Sequence, residues 1–570
     1  MKKFIVLALF GLLIVASTVS AQKLEFKASG TIDFDSTLNM NVPFYFGSVG
    51  TAHARHDGIF NTWYQNTFRS EATGKPTGSL DHTASYTYGR ATLKIDAVMS
   101  KELSGTMMFE IDAFRYGGGA GPTSSATGGP GGVLSQASER NTFGVWSTDR
   151  AAVEVKNIYI DVGLPYFGIP VPMTLRVGAQ PFGVRPNIFL YTDGAGITGG
   201  IKVDPVTIIP MWGKINEGLD PVADDADLYG LHMNAKIGTF TVGGYGLNYN
   251  MNAYPLAYAT GVTWSSTGLS GPGSGSTTTN FTTSSSYGLY AAGTMKANFW
   301  WFGGYMDGKL GPVNLNFDFV YDKGKVERRN SKTTNTISES DVDYSGWATR
   351  AKIDFPWEKF NFGVVGMYAT GADADKTSTR GLPGDFVANP YKGSAGAGLL
   401  SKKVGSYVVP PGSEQSPANG ESLVMYSCFN AAADGGTGIA QAGNYYQVSR
   451  GGFGGTWFAK LYGSAKLTPW YKITLQGLYI GDTTKNGNTF GTAMKNPAAA
   501  AANRQLKDDS TIGWELDLIN EIDIYKNLKF FAGFGYLFAG DALDLYVSSA
   551  SKNFSPKNPW NLTTRLLYTF

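Results

Sequence analysis

The sequence predicts an all-β protein, a single transmembrane antiparallel β-barrel of about 18 strands. Three observations lead to this prediction. Apolar and polar side chains alternate over many segments, short and long connections alternate between those segments, and the composition is unusual, with 74 Gly, 14% aromatic and only 16% charged residues in a chain of 570. Soluble globular proteins have about 25% charged residues and about 7% glycine. The composition therefore favours a protein of another class.

The amino-terminal segment, residues 1–21, has the pattern of a secretory signal peptide. Lys2 and Lys3 precede an apolar run over residues 4–16, and Val19-Ser20-Ala21 forms a small-residue cleavage site. A membrane anchor is the alternative, but the run is shorter than the roughly 20 residues that cross a bilayer as a helix. Residues 22–570 then form the barrel, and export predicts the outer membrane of a Gram-negative bacterium.

The mature chain is formally neutral, because removal of two lysines leaves 45 basic and 45 acidic residues. A nucleic-acid partner would require a basic patch or stripe, so none is expected. The lone Cys428 forms no internal disulfide, and the sequence has no cysteine pair for a zinc or redox motif.

The hydrophobic pattern has a period of two. In residues 313–319, Val-Asn-Leu-Asn-Phe-Asp-Phe, apolar and polar side chains alternate without a break, which places them on opposite faces of a strand. A soluble β-sandwich also alternates, so the connections decide between the two. Tight links alternate with long Gly/Ser/Thr/Asn-rich stretches at 117–150, 250–285, 323–344, 371–452 and 483–509. Short periplasmic turns and long extracellular loops are typical of outer-membrane barrels.

Eighteen strands satisfy this alternation when every short turn lies on the periplasmic side. The pair 195–204 and 206–213 contains Pro205 and Pro210, and without it the count is 16. The predicted strands are 24–36, 85–99, 105–116, 151–163, 172–180, 195–204, 206–213, 228–236, 239–250, 287–306, 312–322, 345–355, 359–370, 454–467, 471–482, 510–523, 527–540 and 559–570.

Aromatic clusters lie near several turns. They include Trp300-Trp301, Phe355-Pro356-Trp357, Pro469-Trp470-Tyr471 and Tyr525. Tyr and Trp favour the membrane interface, so these clusters are interpreted as girdle residues. The alternative is ordinary packing in the core of a sandwich.

The last ten residues alternate and end on Tyr568-Thr569-Phe570. They resemble the terminal strand signal of bacterial outer-membrane proteins. The resemblance implies recognition by the barrel-assembly machinery, with Tyr568 and Phe570 as the assembly signal, and outer-membrane lipid as the surroundings.

A second resemblance covers about thirty residues near the carboxy terminus. Gly513-Trp514-Glu515-Leu516-Asp517-Leu518, residues 525–530 and residues 533–541 look like the terminal hairpin of the alginate-export group of outer-membrane channels. The resemblance implies an 18-stranded porin with a charged lumen. It leaves the solute open, and both a monomer and a homotrimer remain possible oligomeric states.

Polar residues on the strands are expected to face the lumen. Charges lining a low-dielectric wall select solutes by charge, although each charge could instead only pair with a neighbour on the next strand. The two signs are nearly balanced, so neither anion nor cation preference follows. The predicted pore-lining residues are Arg90, Lys94, Glu110, Asp112, Glu154, Lys156, Arg176, Asp318, Asp322, Arg350, Lys352, Asp354, Glu515, Asp517 and Arg565.

Two loops are candidates for covering the pore. The loop at 371–452 is interpreted as a surface lid, because it contains Tyr407, Tyr426 and other aromatic residues. The glycine-rich segment 117–132 could fold inward as a constriction or remain a mobile external loop.

Catalytic and metal sites have little support. His53, His56 and Asp57 lack the further ligands and supporting contacts of a zinc site. The acidic loop with Glu217, Asp220, Asp224, Asp225 and Asp227 could hold calcium but reads more simply as a solvated loop. The sequence predicts no enzyme, cofactor or metal. It predicts a porin through which small hydrophilic solutes diffuse passively; the alternative is a surface structural or adhesive barrel that acts through its long loops.

Overall fold

The structure, a computed structural model, describes sixteen stretches of the chain. The predicted signal peptide, segment 117–132 and Cys428 lie outside them. The described residues are 24–41, 83–115, 153–164, 171–217, 225–252, 264–265, 280–281, 295–328, 342–373, 403–413, 421–426, 448, 451–491, 493–499, 505–547 and 551–570.

Eighteen antiparallel strands form a closed barrel, which confirms the predicted fold class. Each strand pairs with the next along the chain, and the last pairs with the first between Thr31–Thr569 and Met40–Trp560. The strands are β1 Glu25–Met40, β2 Thr83–Val98, β3 Leu103–Arg115, β4 Glu154–Leu164, β5 Met173–Val184, β6 Leu190–Val203, β7 Val206–Asn216, β8 Ala226–Ile237, β9 Phe240–Met251, β10 Met295–Leu310, β11 Val313–Arg328, β12 Val342–Trp357, β13 Phe360–Ala369, β14 Thr456–Thr468, β15 Tyr471–Asp482, β16 Thr511–Tyr525, β17 Leu528–Ala539 and β18 Trp560–Thr569.

The proline-containing pair β6 and β7 is present. Pro210 has no partner in the β6–β7 ladder, and its ring lies where Gly199 has no side chain. Pro cannot donate to a ladder, so a glycine opposite it lets the strands stay paired. The turn between β10 and β11 differs from the predicted 307–311. Strand β10 continues to Leu310, and the chain turns at Gly311, which has a φ of 59°.

The start of β1 and the end of β18 lie at the end of the barrel that carries the short turns, here called the turn end. Gly30 and Phe570 exchange two backbone hydrogen bonds of 2.9 and 3.1 Å across the closing seam. The Phe570 ring covers Gly30 so closely that a side chain at Gly30 would collide with it. The carboxy-terminal aromatic residue therefore packs against the first strand.

The outer face of the wall is apolar and exposed, as expected of a barrel surrounded by lipid. Large exposed side chains recur on alternate positions of successive strands: Ile160, Leu231, Phe302, Phe319, Ile353, Val364, Leu475, Leu516 and Phe534. Phe355, Trp357, Trp470 and Tyr525 are exposed near the turns. The interpretation of Trp301 as a girdle residue is wrong, because Trp301 is fully buried and only Trp300 points outward.

Part of the loop 371–452 lies inside the barrel. Val404, Tyr407, Val408, Val424 and Tyr426 are fully or almost fully buried against inward side chains of the strands. The prediction of a surface lid is therefore wrong for residues 403–413 and 421–426. These apolar residues occur in a glycine- and serine-rich loop, and burial in the lumen removes them from water.

Inserted segments and strand residues together form one packed region, here called the lumen core. Ile188 and Phe189, from the link between β5 and β6, and Leu190, the first residue of β6, belong to it as well. Phe189 stacks on Tyr245 with ring centroids 5.0 Å apart, and the centroid of its ring lies 6.0 Å from that of Trp301. Tyr245 in turn covers Gly303 on the neighbouring strand, where any side chain would collide with the ring.

Candidate functional site

Below the lumen core lies a charged cavity of about 1120 Å³, here called the vestibule. It reaches the turn end, because Pro469, Trp470 and Asp523 belong to its lining. Seven basic and four acidic side chains line it. They are Arg350, Lys352, Lys460, Lys466, Lys472, Lys529, Arg565, Asp35, Glu421, Glu521 and Asp523.

Several of these charges pair along the vestibule wall. Lys472 lies 2.5 Å from Glu521, and Lys529 lies 3.5 Å from Asp523. Lys466 has no ion pair among the described residues. Charge pairs on a wet wall contribute little stability, so these side chains are available to a solute. The lining as a whole carries more positive than negative charge.

The roof of the vestibule is the inserted segment 421–426. Its Glu421 carboxylate lies 2.5 Å from Arg350 Nη2 and 2.6 Å from Lys460 Nζ. Burial alone would raise the pKa of Glu421, but Lys460 and Arg350 outweigh burial and lower the pKa below its ordinary value. Glu421 is therefore held as a carboxylate between two cations.

The same segment is held from the other side by strand β16. Glu515 accepts hydrogen bonds from the Ser422 hydroxyl and from the backbone N–H groups of Leu423, Val424 and Met425, at 2.7 to 2.9 Å. Asp517 accepts from the backbone N–H of Leu423 at 3.2 Å and from the Gln476 side chain at 2.7 Å. Two carboxylates on the wall thus replace water for the backbone donors of an irregular segment, which could not otherwise be buried.

The segment 403–413 is attached in a similar way. Asp322 accepts hydrogen bonds from the backbone N–H groups of Gly346 and Val408, at 3.0 and 3.1 Å. Trp301 donates its indole N–H to the Val408 carbonyl at 2.8 Å. The Tyr407 hydroxyl donates to the Ile188 carbonyl at 2.8 Å, which joins the two insertions.

The third insertion is the link between β5 and β6, and Arg185 fixes it. Arg185 adopts the left-handed conformation with a φ of 48°, which is uncommon for a residue with a side chain. Its guanidinium pairs with Asp307 at 2.5 Å and with Asp318, and it lies 4.2 Å from the centroid of the Tyr305 ring. These contacts compensate for the backbone conformation and hold the link inside the lumen.

On the wall formed by β2 to β6, the charges form a separate network. Glu110 pairs with Arg90 at 2.9 Å and with Lys156 at 3.0 Å, and Lys156 also approaches Asp193. Lys156 is the extra residue of a β-bulge, since Met108 pairs with Asn157 and Phe109 with Val155. The bulge explains why Lys156 reaches inward beside Asn157.

The predicted pore-lining residues therefore fall into three groups. Asp318, Asp322, Arg350, Glu515 and Asp517 hold inserted segments. Lys352 and Arg565 belong to the vestibule wall, where Lys352 pairs with Asp354 and Arg565 with Asp33, two carboxylates outside the lining. In the third group, Lys94 pairs with Asp96, Arg176 pairs with Asp161, and Arg90, Glu110 and Lys156 form the network above. Glu154 is exposed, and the Asp112 side chain lies outside the described part.

Sequence reasoning missed four lysines and four carboxylates of the vestibule, the carboxylates being those of Asp35, Glu421, Glu521 and Asp523. Lys460, Lys466, Lys472 and Lys529 lie on or beside strands, and the alternation on β14 would have placed Lys460 with the inward residues. Glu421 gave no such signal, because it comes from a loop without periodicity. Its position depends on contacts with strands far away in the sequence.

The described residues contain no group of three or more potential metal ligands. His53, His56, Asp57, Asp220 and Asp224 lie outside the described residues. Within the acidic loop, Glu217, Asp225 and Asp227 surround Lys214 at 2.8 to 3.6 Å.

No protein-family model and no curated protein matches this sequence. Among solved structures, OccK11 (OpdR) of Pseudomonas aeruginosa is 8% identical, with a TM-score of 0.44 over 97% of this chain and 99% of that chain. OpdO of the same organism is 9% identical, with a TM-score of 0.42 over 96% and 97%. The trimer form of OmpT, an outer membrane protein of Vibrio cholerae, is 9% identical, with a TM-score of 0.34 over 96% and 99%. The strands themselves, each paired with the next and the last with the first, make the described residues an 18-stranded closed antiparallel barrel.

Proposed function

We propose that this protein is a channel of the bacterial outer membrane through which small hydrophilic solutes diffuse, with a preference for anions. The vestibule carries this proposal. Eighteen strands enclose more space than their own side chains fill, and the charged cavity of about 1120 Å³ uses that space.

The preference for anions follows from the lining. Seven basic and four acidic side chains line the vestibule, and Asp354 and Asp33, which lie outside the lining, pair with two of the basic ones, so the local excess is one positive charge. A low-dielectric wall focuses this field into the cavity and raises the local concentration of anions. The resemblance of the terminal hairpin to alginate-export channels implied a charged lumen and supports the proposal, without naming the solute.

The proposal includes insertion by the barrel-assembly machinery through Tyr568 and Phe570. Both rings are about half exposed and stack with centroids 5.9 Å apart on the outer face. In this position they are available to lipid and to an assembly factor.

A surface barrel that acts through its loops is the second candidate, and the lumen core favours it. Three inserted segments pack inside the barrel with fully buried side chains. Such packing is what a barrel with a closed lumen requires.

A planar-bilayer recording of the refolded mature chain under a KCl gradient distinguishes the two. Steady unitary currents with a reversal potential on the chloride side are expected. A reversal potential on the potassium side would refute the preference for anions. Silence from barrels whose folding is verified by heat-modifiable mobility would refute the channel and favour the surface barrel.

A further inference from the structure

At the roof of the vestibule, the carboxylate of Glu421 lies between two cations, Arg350 and Lys460. Arg350 and Lys460 contact Glu421 at 2.5 and 2.6 Å, and the side chains of the two cations are only 5% and 4% exposed. Two partly desolvated cations that converge on one point form a strong binding site for a carboxylate. A solute carboxylate would bind the same two cations.

Glu421 differs from most of its segment in what it faces. Val424, Met425 and Tyr426 are fully buried in the lumen core, whereas Glu421 belongs to the vestibule lining. Glu421 and Leu423 are therefore the residues of the segment that face the vestibule, and Glu421 is the charged one. The carboxylate itself is largely buried, with 10% of the side chain exposed, and its contact with the two cations borders the vestibule.

Arg350 has an unused donor at this site. Its Nη1 donates to Asn316 at 2.8 Å and its Nη2 to Glu421, while the buried Nε has no hydrogen-bond partner among the described residues. A buried donor without a partner is unfavourable by about 1–3 kcal/mol. A ligand with more than one carboxylate oxygen near Arg350 could satisfy this donor as well.

We propose that Glu421 is a tethered competitor for carboxylate solutes, so that a carboxylate that binds Arg350 and Lys460 displaces Glu421 and opens the lumen. Displacement removes the contacts of the Glu421 carboxylate and so weakens the hold on segment 421–426, which keeps its bonds to Glu515 and Asp517 and the hydrogen bonds from Gln476 and Asn561 to its backbone carbonyls until it leaves the lumen. The inference rests on the proposed channel function and adds to it the class of solute and its control over opening.

The size of the effect follows from linkage. If the solute binds only after Glu421 has left, the ratio of open to closed channels is multiplied by 1 + [L]/Kd. At ten times Kd the ratio therefore rises about tenfold. Because the vestibule reaches the turn end, only solute on that side of the membrane is expected to act.

The test uses malonate and its neutral amide, malonamide, in planar bilayers at constant ionic strength. Malonate, added to each compartment in turn, is expected to raise the open-to-closed ratio of the wild-type channel from one side only. Malonamide has the same shape without the charge and is expected to have no effect. This comparison requires no variant.

The variants Glu421→Gln and Glu521→Gln locate the response. Glu421→Gln is expected to start with a raised open-to-closed ratio and to ignore malonate. Glu521→Gln removes another vestibule carboxylate, which pairs with Lys472 outside the inserted segment, and is expected to respond like the wild type.

Three different outcomes would overturn the inference. Conducting channels whose open-to-closed ratio is the same with malonate and malonamide would refute the competition while leaving the channel function intact. Folded barrels that never conduct would refute both. A Glu421→Gln channel that responds to malonate like the wild type would show that the competition occurs elsewhere.

Discussion

The lumen core and the vestibule occupy the same barrel but use the inward face of the wall in opposite ways. In the lumen core, Asp322 and Glu515 are fully buried and bind backbone N–H groups of inserted segments. In the vestibule, Glu521 and Asp523 are about half exposed and pair only with nearby lysines. The same residue types at the same kind of alternate position are structural in one region and available to solutes in the other.

The difference arises from what lies opposite each carboxylate. An irregular segment brings backbone donors that must be satisfied once water is excluded. Where no segment enters, water remains, and the carboxylate forms only solvent-exposed ion pairs. Inserted segments therefore divide the lumen into a packed part and a hydrated part.

The largest effect is expected from Glu515→Leu, which removes the acceptor that serves the Ser422 hydroxyl and three backbone N–H groups. Each unsatisfied buried donor costs about 1–3 kcal/mol, so segment 421–426 is expected to leave the lumen. Unitary conductance rises and proteases cut within this segment, while the barrel keeps its heat-modifiable mobility. A protease-resistant segment in this variant would contradict the role given to Glu515; Glu521→Leu is the matched control in the vestibule.

The sequence predicted the wall and missed the division of its lumen. Alternation on β11 placed Asp318 and Asp322 inward, because side-chain direction in a strand is a local property. Their partners, Arg185 and Val408, come from connections far away in the sequence, and no periodicity relates them to β11. A run such as Tyr407-Val408-Val409 within a polar loop is the one local sign that a segment is buried.

Asp318→Asn tests the third insertion. Asp318 is almost fully buried and pairs with Arg185, and removal of one partner of a buried ion pair costs about 3–5 kcal/mol. Arg185 still pairs with Asp307 in this variant and is less buried than Asp318. We therefore expect the free energy of unfolding, measured by denaturant titration in detergent, to fall by about 3 kcal/mol or less. The vestibule change Asp523→Asn, on a half-exposed pair, is expected to cost under about 1 kcal/mol. Equal costs for the two changes would break the distinction between the regions.

The charge of the vestibule is tested by Lys466→Glu combined with Lys529→Glu. The change turns seven basic and four acidic lining residues into five basic and six acidic ones. Because the excess charge changes sign, the reversal potential under a KCl gradient is expected to move towards potassium. The pair Lys485→Glu and Lys495→Glu, on a loop at the other end, makes the same change in total charge and is expected to leave the reversal potential in place. A shift of equal size in both would assign selectivity to the charge of the whole chain.

The smallest effect concerns acid, at the boundary between the two regions. Burial raises the pKa of Glu421, but Lys460 and Arg350 lower it by more than burial raises it. The pKa therefore lies below its ordinary value. A group with a depressed pKa stabilises its contacts above the ordinary pKa and loses this contribution as the pH falls through the depressed value. Glu421 is therefore expected to hold segment 421–426 from neutral pH down through the usual titration range of glutamate, and to release it only in stronger acid.

Glu515 and Asp517 hold the same segment from the other side, so the wild type alone cannot assign the response to Glu421. The informative quantity is the difference in open-to-closed ratio between the wild type and Glu421→Gln, recorded from pH 7 to pH 3. Both proteins share Glu515, Asp517, Arg350, Lys352 and Lys460, so their contributions cancel in this difference. We expect the difference to be constant near neutral pH and to vanish only below the ordinary glutamate range. A difference that disappears above that range would mean that the two cations do not hold Glu421 in its charged form, and the roof of the vestibule would then belong entirely to the lumen core.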